Sequence, residues 1–562
     1  MNNQRLLLWM ALFAVSYLLW QAWLIDYRPA PQTATADATP MPELPAATAD
    51  AALPTAAGIA LPAADDPLPD STAPANGEVI EVQTDLMSLR IDSLGGSILS
   101  VDLKRYPVEA GQAQPVVRLL DDQPAHWFVA QSGLVAIDGL APDHRARYRS
   151  ASASYTLDAG QDTLEVPLAW DDGQGLAITK TLVFKRGEYV IGSRYQIHNQ
   201  GSTPWTGQAY TQLQRVLPAA AGQGFSLSNP QPASFTGAAW YSPEDKLDKL
   251  AFKDFADEPL DRHITGGWAA MLQHYFFAAW IPDAGLKVRY QSAILDAGSA
   301  APRYLLRQIE PALQVLPNAV ATIENRLYVG PKLQEVLPTI APGLGLAMDY
   351  GLVRLFAEPL FRYVLNPMHK LAGNWGVAII LTTVLIKLLL FPLASAQYRS
   401  MAKMRAVQPR MEAIKQRYGD DRQKLNQAML ELYQKEKINP AGGCLPIIPQ
   451  MFMFIALYWV LIESVELRHA PFVGWLTNLS AHDPYFVLPV LNALTMWITQ
   501  KMAPSPAGMD PIQQKMLQYM PLAFSVIMVF FPAGLVLYWT VNGSLGILQQ
   551  WWITRGMELK KA

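Results

Sequence analysis

The sequence predicts a multi-domain membrane protein: six transmembrane α-helices, a large β-sandwich domain on the outer side and an antiparallel helical hairpin on the inner side. Three observations carry that expectation. Long apolar runs fill the last third and recur once near the N-terminus, in a chain that is 51% hydrophobic and only 16% charged, below the charged share of a typical soluble protein. Between about residues 78 and 340 the pattern changes to short alternating runs separated by glycine turns. Residues 396–441 then carry two amphipathic seams and an excess of basic side chains. At 562 residues the chain is too long for a single core.

Residues 1–28 contain a 20-residue apolar run, Leu6–Ile25, after Arg5. A cleaved signal has an apolar core of about 7–15 residues, so this run is expected to be an uncleaved transmembrane anchor. Residues 29–77 hold ten prolines and no Lys or Arg. Such a segment buries too little apolar surface to fold and is expected to be a disordered linker. Residues 78–340 are expected to form the β-sandwich. There Leu99, Val101 and Leu103 alternate with Ser100, Asp102 and Lys104, and Ile178–Phe184 and Tyr189–Ile197 flank a hairpin signal at Lys185-Arg186-Gly187. Gly95-Gly96, Gly173-Gln174-Gly175 and Asn199-Gln200-Gly201 mark further turns. No pair of carboxylates stands out, so an accessory role is expected for this domain.

Residues 341–370 include an amphipathic stretch. Asp349, Arg354, Glu358 and Arg362 make its polar stripe, while Leu352, Leu355, Phe356, Leu360 and Phe361 face elsewhere. It is expected to lie in the membrane interface. Residues 371–395 hold the first core span, with 19 residues from Trp375 to Leu393, a length that crosses about 30 Å of hydrocarbon. In residues 396–441, Met404, Val407, Met411, Ile414 and Tyr418 are spaced 3, 4, 3, 4, and Leu425, Met429 and Leu432 continue at 4, 3 after Gly419-Asp420-Asp421. Two seams around a tight turn predict the hairpin, with Pro409 kinking or starting its first arm. Ten Lys or Arg against five acids place residues 397–441 in the cytoplasm.

The remaining orientation follows by parity. Residues 442–465 cross outward, 466–484 form an outer loop, 485–502 return, and 503–514 form a small inner loop. Met516–Ile553 is a 38-residue apolar run that Phe531-Pro532-Ala533-Gly534 must break, giving spans 515–531 and 533–553. A basic tail, 554–562, ends inside. Both termini are then cytoplasmic and residues 29–370 lie outside.

Lys387 is the one charged residue between Trp375 and Leu393. A mid-helix lysine costs about 3 kcal/mol on insertion, and the strongly apolar residues around it return about 4–7 kcal/mol, so the helix still inserts. A lysine that merely snorkels is the bland alternative, but Leu393 is roughly 9 Å further along the axis. The midpoint of the span is near Val384, which puts Lys387 about 4.5 Å to the cytoplasmic side. No acid within the spans offers a pair, since Glu463 sits at the outer end of its own. The ammonium therefore needs water or an anion. An aqueous groove open to the cytoplasm is expected at this depth, with Thr383, Asn492, Thr495 and Asn542 on its walls.

Other chemistries leave no mark. Cys444 is the single cysteine, so there is no disulfide framework. The eight histidines are scattered, and no P-loop, GxSxG or HExxH string occurs. Neither a cofactor nor a metal is expected, and no specific nucleic-acid recognition.

The strings FPLASAQYRSMAKM, NPAGGCLPIIPQMFMFIALYWVL, SVELRHAPF, DPIQQKM and FPAGLVLYW are more specific than any of these patterns. In them the chain resembles the Oxa-type membrane protein insertases of the Gram-negative inner membrane, along its whole length and most strongly in its last third. The resemblance implies an N-terminal anchor, a linker, a periplasmic β-domain and a five-span core. It implies a protein that is not an enzyme and that inserts and helps fold newly made membrane proteins, alone or with the Sec translocon. The family uses a hydrophilic groove open to the cytoplasm and the lipid, with one basic residue inside. That residue is usually arginine, and Lys387 stands at the matching position, keeping the charge but not the guanidinium fork. The resemblance also implies a role for Thr383 and for Trp539, which stands where tyrosine is common. The implied partners are nascent membrane proteins, the Sec translocon and the lipid bilayer. A ribosome or targeting factor is expected at the hairpin and basic tail. The β-domain is similar to the supersandwich of sugar mutarotases, which does not imply catalysis.

Two other functions compete with this one. Intramembrane charge also marks ion paths, but the sequence shows no inverted repeat and no pair of broken half-helices of the transporter kind. An anchored sugar-active enzyme would leave the five core spans without a purpose.

Overall fold

The computed structural model describes residues 77–137, 140–218, 234–299, 301–418, 421–436, 447–502, 516, 519–520 and 523–558. The expected anchor, nearly all of the linker, the 503–514 loop, and parts of the 515–531 span and of the tail lie outside these residues.

Alternating sequence builds the first body. An eleven-stranded and a nine-stranded sheet form a sandwich. Val82, Leu89 and Val101 of the first share one buried cluster with Val166, Phe184 and Phe277 of the second. The expected hairpin is present: Leu176–Lys185 and Val190–Asn199 pair in antiparallel register, Phe184 opposite Ile191 and Leu176 opposite Asn199. Gly187 supplies the positive φ of +75° that the turn requires. Along Ile98–Pro107, Val101 and Leu103 point inward while Lys104 is exposed. Ser100 departs from the expected alternation and is buried, because that end of the strand is covered on both faces.

Turns and buried polar groups are matched to each other. At Gly95 and Gly96, φ is +71° and +58°, and the two carbonyls accept from Lys180 Nζ at 2.8 and 2.9 Å. Lys180 is fully buried, and burial holds its pKa down to about 7. Glu310 is also buried, accepts from Asn325 Nδ2 at 2.6 Å, and is pushed up to about 7 by desolvation.

The second body is helical. Arg354–Leu360 (α1) continues through a π-helical turn at Phe361–Leu365 into Asn366–Ala372 (α2). Arg354 and Glu358 pair at 3.1 Å on the polar stripe. Ala357, Leu360, Phe361 and Leu365 pack against Leu457 and Val460 of the helical core, while Leu355, Phe356, Tyr363 and Leu371 stay exposed. The stretch thus seats one side on the bundle and leaves an apolar side bare.

Residues 371–395, expected to hold one span, carry a bend. Trp375–Leu389 (α3) is followed by Phe391–Tyr418 (α4), and the two are bent by 68°. Asn374 starts α3 by accepting from Val377 N at 3.1 Å. Pro392 has no N–H to offer Leu388, so the helix cannot run on unbroken. Arg422–Lys435 (α5) packs on α4: Val407, Met411 and Leu432 are buried between them, with Met404, Ile414 and Met429 alongside. The first arm begins at Phe391, and Pro409 stands inside α4 rather than at its start.

Ile447–Glu463 (α6), Val487–Met502 (α7) and Ala533–Glu558 (α8) complete the bundle. The chain breaks at Phe531 and Pro532, where the long apolar run demanded it. Among the described residues no single helix is long and apolar enough to cross a membrane. By length and composition α3 and α4 together could cross, bent at their break.

The two bodies touch. Gln334 donates from its backbone N to Glu466 Oε1 at 3.0 Å and from its side chain to Ser464 Oγ at 2.8 Å. Ser234 donates to Glu463 Oε2 at 3.3 Å. Arg468 reaches the carbonyls of Pro107 and Val108 at 2.9 and 3.2 Å. Val465, just past α6, is buried in the sandwich's own core cluster. Burial pushes the Glu466 carboxyl up to about 7.

The Glu310 shift has a definite sign. Its folded pKa of about 7 lies above the ordinary 4.5, so between those values the folded state keeps a proton that the unfolded chain has released. Stability from this group is then full at low pH and falls as pH rises through that window. Thermal unfolding of the purified chain should therefore lose more between pH 5 and pH 8 than that of Glu310→Gln. Parallel pH profiles for the two proteins would contradict the assignment.

Candidate functional site

Lys387 stands in the last turn of α3, three residues before the break at Leu390. The sequence placed it in mid-helix. The bend instead puts the ammonium at a helix C-terminus, where carbonyl dipoles favour a cation by about 0.3–1 kcal/mol. The bend also swings the first turns of α4 beneath it. A recess of about 40 Å³ results, lined by Lys387 of α3, Leu390 at the break, Gln397 and Tyr398 of α4, Gln450 of α6, and Tyr538 and Asn542 of α8. By the room one water needs, that is space for about three.

No hydrogen bond or ion pair joins Lys387 to any described residue. Its solvation therefore falls to the recess. Gly546 of α8 keeps the space open: a Cβ there would stand 3.3 Å from Tyr398 Oη and 3.7 Å from Lys387 Nζ. Gly543, three residues earlier, lets α7 approach, since a Cβ there would meet Thr495 Oγ1 at 2.9 Å.

Of the six residues singled out from the sequence, Lys387 and Asn542 line the recess together. Thr383 lies one turn above, buried, with its hydroxyl turned back on Ile379 O at 2.7 Å. Asn492 is buried on α7, its side-chain polar atoms without a hydrogen-bond partner among the described residues, and Thr495 donates to Asn492 O at 2.8 Å. Trp539 belongs to an aromatic cluster with Phe454 and Phe524, at centroid distances of 4.9 and 6.0 Å. Thr383, Asn492, Thr495 and Trp539 are thus in the bundle interior around the recess and not in its lining. Gln397, Tyr398, Gln450 and Tyr538 were missed. Tyr538 carried a signal, since it is four residues before Asn542 on one helix face. Gln397 and Tyr398 carried none, because only the bend brings α4 under Lys387.

The arrangement offers a cation, two phenols and amides, and among its described lining residues there is no acid. Among the described residues no group of His, Cys, Asp or Glu could hold a metal ion. It can attract an anion and supply hydrogen bonds.

Exposure gives this geometry a test. With Cys444→Ser as background, Lys387→Cys should react readily with a water-soluble maleimide. Thr383→Cys should react roughly a hundredfold slower, the factor that about 3 kcal/mol of local opening imposes. Equal rates would mean that the recess does not end where the structure ends it.

Two family models match the chain. One described as the YidC periplasmic domain covers residues 79–363, and one described as the 60Kd inner membrane protein covers 367–561. A membrane protein insertase YidC of Methylococcus capsulatus is 43% identical, with all of both chains covered. One from Stenotrophomonas maltophilia is 45% identical, covering 99% of this chain and 97% of its own. A crystal structure described as an active YidC insertase with its first transmembrane domain resolved covers 86% of this chain and 94% of that one, at 17% identity and a TM-score of 0.37.

Proposed function

The chain belongs to the 60Kd inner membrane protein family with a YidC periplasmic domain, and from that premise we propose that it is a membrane protein insertase. It is not an enzyme. Its clients are newly made inner-membrane proteins, which it inserts into the lipid bilayer and helps to fold. The observation that carries the activity is full-length likeness to insertases at 43–45% identity. The observation that supports the mechanism is Lys387, a cation in an apolar bundle facing a recess with no acid among its described lining residues.

In this reading six spans cross the membrane. The sandwich is periplasmic, and the α4–α5 pair, the recess mouth and both termini are cytoplasmic. An acidic leading segment of a client is drawn to Lys387. At about 8 Å the attraction is about 2 kcal/mol for an effective dielectric of 20, and about 0.5 kcal/mol in bulk water. The low dielectric of the bundle therefore matters more than the charge alone. The client's polar segment shares the water of the recess while its apolar helix moves into lipid beside the exposed Leu385, Leu388 and Leu389. No nucleotide is needed, because burying the client's apolar surface drives the step. The basic surface of α4 and α5, with the tail, receives a ribosome or targeting factor, and the Sec translocon is a partner for larger clients.

Coulomb attraction needs charge and not shape. Lys387→Arg should support insertion in reconstituted vesicles. Lys387→Leu should lose roughly tenfold or more for clients with acidic leading segments, and less for neutral ones. A fully active Lys387→Leu would remove Lys387 from the mechanism.

The α4–α5 pair is a second test. Replacing Met404–Leu432 by a short Gly-Ser link should abolish insertion while the protein remains in the membrane at normal level. Normal insertion by that variant would show that the pair receives nothing essential.

A further inference from the structure

A second recess lies beside the first and shares Tyr398 with it. It is much larger, at about 290 Å³, close to the lower end of small-ligand sites at about 300 Å³. Its walls come from α4 and α8. On α4, Tyr398, Met401, Ala402 and Arg405 recur at helical spacing and share a face; on α8, Gln550, Trp551, Thr554 and Arg555 do the same. Gln550 fastens the site to the end of α7 by donating to Met502 O at 3.1 Å.

The recess is cationic. Arg405 and Arg555 both line it, and none of its described lining residues is acidic. The Arg555 guanidinium lies over the Trp551 ring at 5.3 Å, which holds its fork near the recess. Thr554 and Gln550 add neutral polar side chains. Two guanidiniums with hydroxyl and amide neighbours suit a phosphate, which takes parallel N–H donors from each fork.

The surroundings say which phosphate. Leu548 and Trp552 lie on the neighbouring face of α8 and are exposed, 60% and 63%. Trp552 packs against Phe391 at 5.9 Å, at the start of α4, and Leu388 and Leu389 are bare just before it. A dicationic recess therefore opens next to a band of exposed apolar side chains. A soluble anion would use the arginines and leave that band bare. An amphiphile uses both, and exposed tryptophans beside basic residues are the pattern of a headgroup-level belt.

We propose that Arg405 and Arg555, with Trp551 and Thr554, form a binding site for the phosphate headgroup of an anionic phospholipid of the cytoplasmic leaflet, its acyl chains lying along Leu548 and Trp552. The site rests on the reading that this end of the bundle meets the membrane's inner surface. It places a lipid at the mouth of the Lys387 recess, where a client's helix would leave the protein.

Native mass spectrometry of the purified full chain, with added phosphatidylglycerol or phosphatidylcholine, tests it. The wild type should retain phosphatidylglycerol, by roughly thirtyfold over phosphatidylcholine for two arginines near a surface. The Arg405→Gln/Arg555→Gln pair should lose that preference, and Arg405→Lys/Arg555→Lys should keep most of it. Unchanged thermal unfolding in all three would show that the fold is not what changed. A glutamine pair that still prefers phosphatidylglycerol overturns the proposal. So does full displacement of the lipid by inorganic phosphate, which would mark a plain anion site, or by an acidic peptide, which would assign the recess to clients. Insertion into phosphatidylcholine vesicles by the same preparations separates the two readings. Lipid preference without insertion overturns the insertase reading alone, and insertion without lipid preference overturns the lipid site alone.

Discussion

An ammonium ion held within an apolar helical bundle must be solvated, and the architecture around Lys387 follows from that requirement. The lysine has no carboxylate partner among the described residues. Pro392 breaks the helix three residues after the C-terminal turn that carries Lys387, so the charge meets free carbonyl dipoles instead of a continuing apolar helix. The 68° bend carries Gln397 and Tyr398 under the ammonium, and Gly546 leaves the gap between them unfilled. A Cβ at 546 would press on Tyr398 Oη at 3.3 Å and touch Lys387 Nζ at 3.7 Å. The cost of the buried charge is thus met by a helix end, a bend and a missing Cβ, each of which is local and small.

The same economy governs the junction of the two bodies. Glu463, Ser464 and Glu466, at and just past the C-terminal end of α6, are polar groups that desolvation would penalise if they stood alone. Ser234 and Gln334 from the sandwich satisfy part of that need, and Val465 fills a place in the sandwich core. Polar atoms fix the register and one apolar side chain supplies the burial. A long linker on the N-terminal side would not by itself make the sandwich a freely swinging appendage, because its other end is seated on the bundle. Movement of the sandwich must expose Glu463 and Glu466 to water or leave them unpaired.

Glycine stands at three close approaches in the helical body. Gly543 admits α7 against α8 through Thr495, Gly546 admits the lysine and Tyr398, and Gly376 at the start of α3 lies against the Phe472 ring. In a bundle where apolar side chains gain little from each other relative to lipid, close backbone approach supplies dispersion and polar contact instead. The exposed leucines and tryptophans of α3 and α8 are the complement of this: the large side chains point away from the contacts that the glycines permit.

Much of this was written locally in the chain. Alternation gave the sandwich and its Lys185-Arg186-Gly187 hairpin, helical spacing gave the Val407, Met411 and Leu432 seam, and the Phe531-Pro532 break stood in the primary structure. Lys387 announced itself by being charged in an apolar run. These are properties of neighbouring residues, fixed by periods of two or 3.6 and by proline's missing donor. The lining of the recess was not legible in the same way. Asn542 fell on it, but Thr383 turned to its own backbone, Trp539 to an aromatic cluster, and Asn492 and Thr495 to the bundle interior, while Gln397, Tyr398 and Gln450 came in from other helices. Periodicity says which residues share a face. Only the angle at which one helix meets another decides what that face looks at, and that angle depends on contacts between residues far apart in the chain.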